Sequence, residues 1–243
     1  ILSEGLKQED AGAHILDVNV GLPEIDEPKM MVEVMKKLQS VIALPLQIDT
    51  SDPIALEAAL RHYNGKAMIN SVNGKQESMD AVFPLVKKYG GVVVGLALDE
   101  EGIPDNATDR IRIAKKIYKE ASKYGIEPKD IVIDGLAMTI SSDPTSAIAT
   151  LETLRIIRDE LHGHSILGVS NISFGLPQRP IINANFFTMA MQSGLSAGII
   201  NPLSEDMMRS YYSFCALMNY DENCEKYIEQ YGSQKEQAVT PAT

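Results

Sequence analysis

The feature that most constrains this chain is a repeating unit, a short apolar run that stops on Asp or Asn and is followed by a helix-forming stretch. Ile15-Leu16-Asp17-Val18-Asn19 is the first such run, and Pro45-Leu46-Gln47-Ile48-Asp49 is the second. Ala67-Met68-Ile69-Asn70-Ser71 and Ile131-Val132-Ile133-Asp134 repeat the shape, and the run Ser165-Ile166-Leu167-Gly168-Val169-Ser170 leads into Asn171, Ser173 and Gly175. Continuous apolar runs of this length read as parallel strands buried on both faces, with polar side chains delivered to one edge of the sheet.

Helical signals fill the intervals. Asp52-Pro53 is a cap with proline at the first helical position, opening a helix over 54–63. A helix near 76–89 closes on Gly90-Gly91, and one over 144–161 is expected to be capped by Asp143 with Pro144 at its start. Further helices are read over 30–38, up to Lys123, over 183–193, and up to Met218 as the last. Strands at 92–98 and 197–200 bring the count to seven, each with its helix. The opening stretch from Ile1 is helical in period and ends in a stop at Gly12, an opening helix that lacks its strand. Repeated βα units imply parallel strands with right-handed crossovers. Seven units plus an opening helix give an α/β fold, a (β/α)₈ TIM barrel with its first strand absent from this sequence. An open doubly wound sheet would carry a G-x-G-x-x-G turn after an early strand, and none is present. The barrel is assigned to residues 1–231, and the polar stretch 232–243 reads as a linker to a following module.

With 243 residues, 44% of them hydrophobic, the chain suits one such barrel. Its formal charge of −11 argues against nucleic acid or an anionic membrane as partner. No apolar run approaches the roughly 20 residues that span a bilayer. Two cysteines, Cys215 and Cys224, read as reduced thiols in a cytoplasmic protein.

Residues at the carboxyl ends of barrel strands line the active site. Here those positions supply Asp17, Asn19, Asp49, Asn70, Ser71, Asp134, Asn171, Ser173 and Asn201, of which Asn201, directly before proline, is the plainest turn residue. No strand ends in Lys, which argues against Schiff-base chemistry. His14, His62, His162 and His164 lie away from the strand ends, against a zinc site. Magnesium on Asp17, Asp49 and Asp134 would need carboxylates alone and stays open. What carboxylates and carboxamides do well is read a flat, nitrogen-rich ring, because a carboxylate accepts paired N–H bonds and Asn both donates and accepts.

Leu16-Asp17-Val18-Asn19-Val20-Gly21, Met68-Ile69-Asn70-Ser71, Gly168-Val169-Ser170-Asn171-Ile172-Ser173 and Arg179-Pro180-Ile181-Ile182-Asn183 together resemble the pterin-binding methyltransferase barrels. These include the methyltetrahydrofolate module of cobalamin-dependent methionine synthase and the methyltransferase that serves a corrinoid iron–sulfur protein. The resemblance implies that Asp49, Asn70 and Asp134 hydrogen-bond the pterin's pyrimidine edge, and that Asn171 approaches N5, with Asn171 and Asp134 as the catalytic pair. Asp17 and Asn19 would complete a polar floor, and Ser71 and Ser173 would line it. Arg179 and Asn183 would order a loop over the site or meet the folate tail. Two departures stand out: the family's Gly-Glu-Arg-x-Asn first strand is absent, and Gly135 replaces the usual proline.

The implied function is a module of methionine synthase that activates 5-methyltetrahydrofolate for methyl transfer to cob(I)alamin carried elsewhere. A cobalamin domain or corrinoid protein would dock at the barrel mouth, and self-association as a homodimer is left open. The alternatives are the corrinoid iron–sulfur protein methyltransferase, dihydropteroate synthase and a non-catalytic folate-binding module. Dihydropteroate synthase should show a basic Lys and an Arg-x-His pair late in the chain, and neither is evident.

Overall fold

A computed structural model of the chain describes residues 1–232; all but the first residue of the expected linker lies outside them. Seven parallel strands run in sequence order: β1 (Leu16–Asn19), β2 (Leu46–Asp49), β3 (Ala67–Asn73), β4 (Gly91–Leu96), β5 (Ile131–Asp134), β6 (His164–Gly168) and β7 (Ala197–Ile199). Helix α1 (Leu2–Asp10) precedes them. After each strand in turn come α2 (Glu27–Gln39), α3 (Pro53–Leu60), α4 (Gln76–Tyr89), α5 (Ala107–Lys123), α6 (Ser146–Asp159), α7 (Arg179–Gln192) and α8 (Glu205–Leu217), and α9 (Glu225–Tyr231) follows. The strands wrap into a nearly closed (β/α) barrel.

Period-2 alternation divides each strand between two cores. Outward residues such as Ile48, Ile69, Val93 and Ile133 pack against Met35, Leu56, Phe83, Ile113 and Ile117 of the helices. Inward residues Met68, Val94, Val132 and Ile166 meet on the barrel axis. The mouth at the carboxyl ends therefore sits on an apolar plug.

The first and last strands, β1 and β7, share no ladder among the described residues. A cavity of about 590 Å³ opens along this seam, lined by His14, Asp17, Gln47, Met68, Ile166 and Tyr211 among others. The seam is the one gap in the ring that the seven described strands form.

Several boundaries differ from the sequence expectation. The sixth strand ends at Gly168, because Val169–Ser173 turns into a 3₁₀ helix. The seventh helix begins at Arg179, with Pro180 in its first turn, which places Asn183 inside the helix. Asp143 caps a turn, accepting from the Thr145 N–H at 2.9 Å, and α6 starts only at Ser146. Helix α9 was not anticipated. Its first turn is anchored by Asp221, whose carboxylate accepts from the N–H groups of Lys226 and Tyr227.

Candidate active site

The mouth is built strand by strand. On one side, Asn19, Asp49 and Asn70 are successive ladder partners on β1, β2 and β3. Neighbouring strands lie about 4.8 Å apart, so these three side chains form a contiguous polar row. Asn19 Nδ2 donates to Asp49 Oδ2 at 2.9 Å, and Asn19 Oδ1 accepts from the Gly21 N–H at 3.0 Å. Beside the row, buried Thr50 donates its hydroxyl to Glu27 and accepts from the Asp52 N–H at 3.0 Å.

One layer deeper, Asp17 pairs with Gln47, whose Nε2 donates to Asp17 Oδ1 at 2.6 Å. Asp17 is therefore not at the strand end. It faces the seam, and desolvation by the barrel wall, aided by the nearby charge of Asp49 and opposed by Gln47, raises its carboxyl above the ordinary value.

Across the mouth, Asp134 closes β5 between the apolar ladder partners Leu96 and Ile166. Burial raises its carboxyl to about 6, against the Leu136 N–H bond and the charge of Arg110. The Leu136 N–H donates to Asp134 Oδ1 at 2.7 Å.

Asn171 stands exposed on the 3₁₀ turn after β6 and folds back over Gly168. A Cβ at position 168 would lie 3.0 Å from Asn171 Nδ2, tight enough to push the carboxamide aside. Gly168 thus makes room for the Asn171 side chain.

The loop that follows is tied down from two directions. Thr139 and Ser141, after β5, both donate to the Phe174 carbonyl, at 2.7 and 2.9 Å. Arg179 donates to Ser173 Oγ at 3.0 Å and to the Ser170 carbonyl at 2.9 Å, and its guanidinium stacks on Phe174 at 4.4 Å. Ser173 is fully buried and its hydroxyl is engaged by Ser170 and Arg179, so it faces the loop's interior and not the mouth.

Of the remaining candidates, Ser71 is the extra residue of a bulge between Asn70 and Val72. Asn183 is half-buried on α7, its carboxamide oxygen sealed off and without a partner among the described residues. Asn201 accepts from the Leu203 N–H at 3.0 Å and shapes a turn. Among the described residues, no three of His, Cys, Asp and Glu converge as a metal site. Among the described residues, no helix is long and apolar enough to cross a membrane.

A family model described as "Pterin binding enzyme" matches residues 1–201. The chain belongs to the pterin-binding enzyme family. Within it, the chain is 33% identical over 237 residues to a methylcorrinoid:tetrahydrofolate methyltransferase of Eubacterium limosum, a match covering 95% of this chain and 86% of that one. It is 32% identical over 203 residues to the methionine synthase of Mycobacterium tuberculosis, covering 78% of this chain but only 17% of the relative. Dihydropteroate synthases share the barrel. The Yersinia pestis enzyme with a sulfonamide drug superposes with a TM-score of 0.73 over 90% of this chain and 85% of that one, at 18% identity. The Xanthomonas albilineans enzyme with 7,8-dihydropteroate gives 0.71 over 89% and 86%, at 21% identity. Identities this low speak for the fold alone.

Three residues of the site went unread in the sequence. Gln47 lies two before Asp49 and so shares its inward face, a signal the period of 2 offers. Glu27 lay before the helix read over 30–38, and the structure places it in the first turn of α2. Arg110, on α5, sits where the apolar stripe of that helix requires a buried residue, between Ala107 and Ala114.

Proposed function

We propose that the chain binds a tetrahydrofolate by its pterin edge and transfers a methyl group between N5 of that folate and a corrinoid carried by a partner that docks at the barrel mouth. The observation carrying this is the mouth itself: two carboxylates, Asp49 and Asp134, and the carboxamides of Asn19, Asn70 and Asn171 gather at one end of a pterin-family barrel. An aminopyrimidinone edge presents N–H donors that a carboxylate accepts in pairs, while Asn70 matches a mixed donor and acceptor edge. Rings without those donors would leave buried acceptors unpaired and be rejected.

Loss of the methyl group leaves N5 with an electron pair that needs a hydrogen-bond donor or a proton. The Asn171 carboxamide, held over Gly168, donates there and strengthens its bond as charge develops. The reverse transfer uses the same contact. The corrinoid supplies the cobalt that takes or gives the methyl group. The residues of this chain position the ring, shelter it over the apolar plug and steady the leaving nitrogen.

The match over 95% of this chain favours a methyltransferase that exchanges methyl groups between tetrahydrofolate and a corrinoid protein. The match to methionine synthases supports a second reading, in which the loaded corrinoid goes on to methylate homocysteine. Calorimetric titration with 5-methyltetrahydrofolate, followed by absorbance on adding cob(I)alamin, tests the shared core. Saturable binding and methyl transfer are expected, and no folate binding would overturn the reading. Methionine formation with the native corrinoid protein and homocysteine separates the two versions.

A further inference from the structure

Arg110 is 1% exposed, and no carboxylate lies within ion-pair distance of it among the described residues. Burying a guanidinium without an ion pair costs several kcal/mol, and neutral acceptors return only part of that cost. Stability alone is a poor reason to retain such a residue on the apolar stripe of a helix. Its contacts point to another.

Arg110 Nε donates to the Pro104 carbonyl at 2.8 Å, in the loop that leads into α5. Its Nη1 hydrogens are shared among the Gly135 carbonyl at 2.8 Å, the Leu136 carbonyl at 3.0 Å and Thr150 Oγ1 at 3.1 Å. Gly135 and Leu136 form the turn directly after Asp134. Leu136 has φ +59°, a left-handed conformation that costs a side-chain-bearing residue about 1–2 kcal/mol. From that conformation its N–H reaches Asp134 Oδ1, and Asp134 Oδ2 has no hydrogen-bond partner among the described residues.

We propose that Arg110 is a positioning residue for Asp134: by clamping the Gly135 and Leu136 carbonyls, it holds Leu136 left-handed so that one carboxylate oxygen is fixed and the other is presented to the ligand. Its charge also favours the ionised carboxylate, the form that accepts the ring's donors. The Gly135 carbonyl is one of the two backbone acceptors that the guanidinium grips, so the clamp spans the whole turn after Asp134. Only the last step, presentation to a pterin, rests on the proposed function.

The charged groups around the pair are few. Arg110 is the charge that bears on Asp134, whose ladder neighbours Leu96 and Ile166 are apolar; Asp105, before α5, and Asp143, before α6, bear on Arg110. The test is a carboxyl ¹³C NMR titration of Asp134, assigned with Asp134→Asn, in the wild type, Arg110→Gln and Arg110→Lys. The wild-type midpoint is expected near 6. Arg110→Gln should move it up by about one pH unit, and Arg110→Lys, which keeps the charge, by less. Hydrogen exchange at the Leu136 amide should quicken about tenfold in Arg110→Lys, since a single ammonium cannot hold both carbonyls. An unmoved midpoint in Arg110→Gln, or unchanged exchange in Arg110→Lys should the Gln variant not fold, overturns the proposal. Calorimetry with 5-methyltetrahydrofolate runs alongside: a wild type that binds no folate sinks the proposed function, while the titration and exchange still decide the role of Arg110.

Discussion

Two carboxylates face each other across the barrel mouth, and their surroundings differ in kind. Asp49 has Asn19 and Asn70 as ladder neighbours and already accepts a hydrogen bond from Asn19. Asp134 has Leu96 and Ile166, and its carboxyl is raised to about 6 by burial. The same residue type at the same end of the barrel is thus shared in one place and isolated in the other. Strand position aims a carboxylate; the flanking strands decide how much its charge costs. Asp134, flanked by apolar ladder partners, should carry more of the binding discrimination.

The largest expected effect breaks the isolated side. Asp134→Asn should weaken 5-methyltetrahydrofolate binding about 100-fold at pH 8, read by calorimetry, since the charge-assisted acceptor presented to the ring is lost. The same change should stabilise the fold. An acid raised from 3.8 to about 6 keeps its proton longer in the folded chain than in the unfolded one. Its stability contribution is therefore full below about pH 4, lost as pH climbs through 6, and absent above that. Asn escapes that loss, so thermal or denaturant unfolding should show a gain of about 2 kcal/mol at pH 8 and little change at pH 4.

Asn171→Ala should slow methyl transfer by about 100-fold while affinity falls less than tenfold, because its bond to N5 strengthens only as the methyl group moves. Equal losses in rate and affinity would return Asn171 to the role of a simple contact. In the wild type, affinity should decline about tenfold per pH unit below 6, as Asp134 takes up its proton, and this slope should vanish in Asp134→Asn. The smallest effect belongs to the shared side. Asn19→Ala should cost only about threefold in affinity, because Asp49 keeps its place beside Asn70 and water can replace the lost partner.

Much of the barrel was legible because each strand is a short apolar run with a polar stop, and the stops named Asp49, Asn70 and Asp134 directly. The end of β6 was not. Val169 and Ile172 are apolar enough to prolong a strand, yet they belong to a 3₁₀ turn that buries both. Asp17 was read with the strand ends because Asp-x-Asn looks like one polar terminus; alternation puts both residues on the inner face but a layer apart. Ser173 looked like a mouth residue, yet tertiary contacts with Arg179 claim its hydroxyl. Arg110 was invisible for a different reason. A helical arginine ordinarily reads as solvated, and only its place on the apolar stripe, three after Ala107 and four before Ala114, marks it as buried.

The most direct measurement is calorimetric titration of the wild type and Asp134→Asn with 5-methyltetrahydrofolate at pH 8. Saturable binding by the wild type, weakened about 100-fold in a variant that unfolds no more easily, is the expected result. Equal affinities in the two proteins would contradict a pterin held at this mouth.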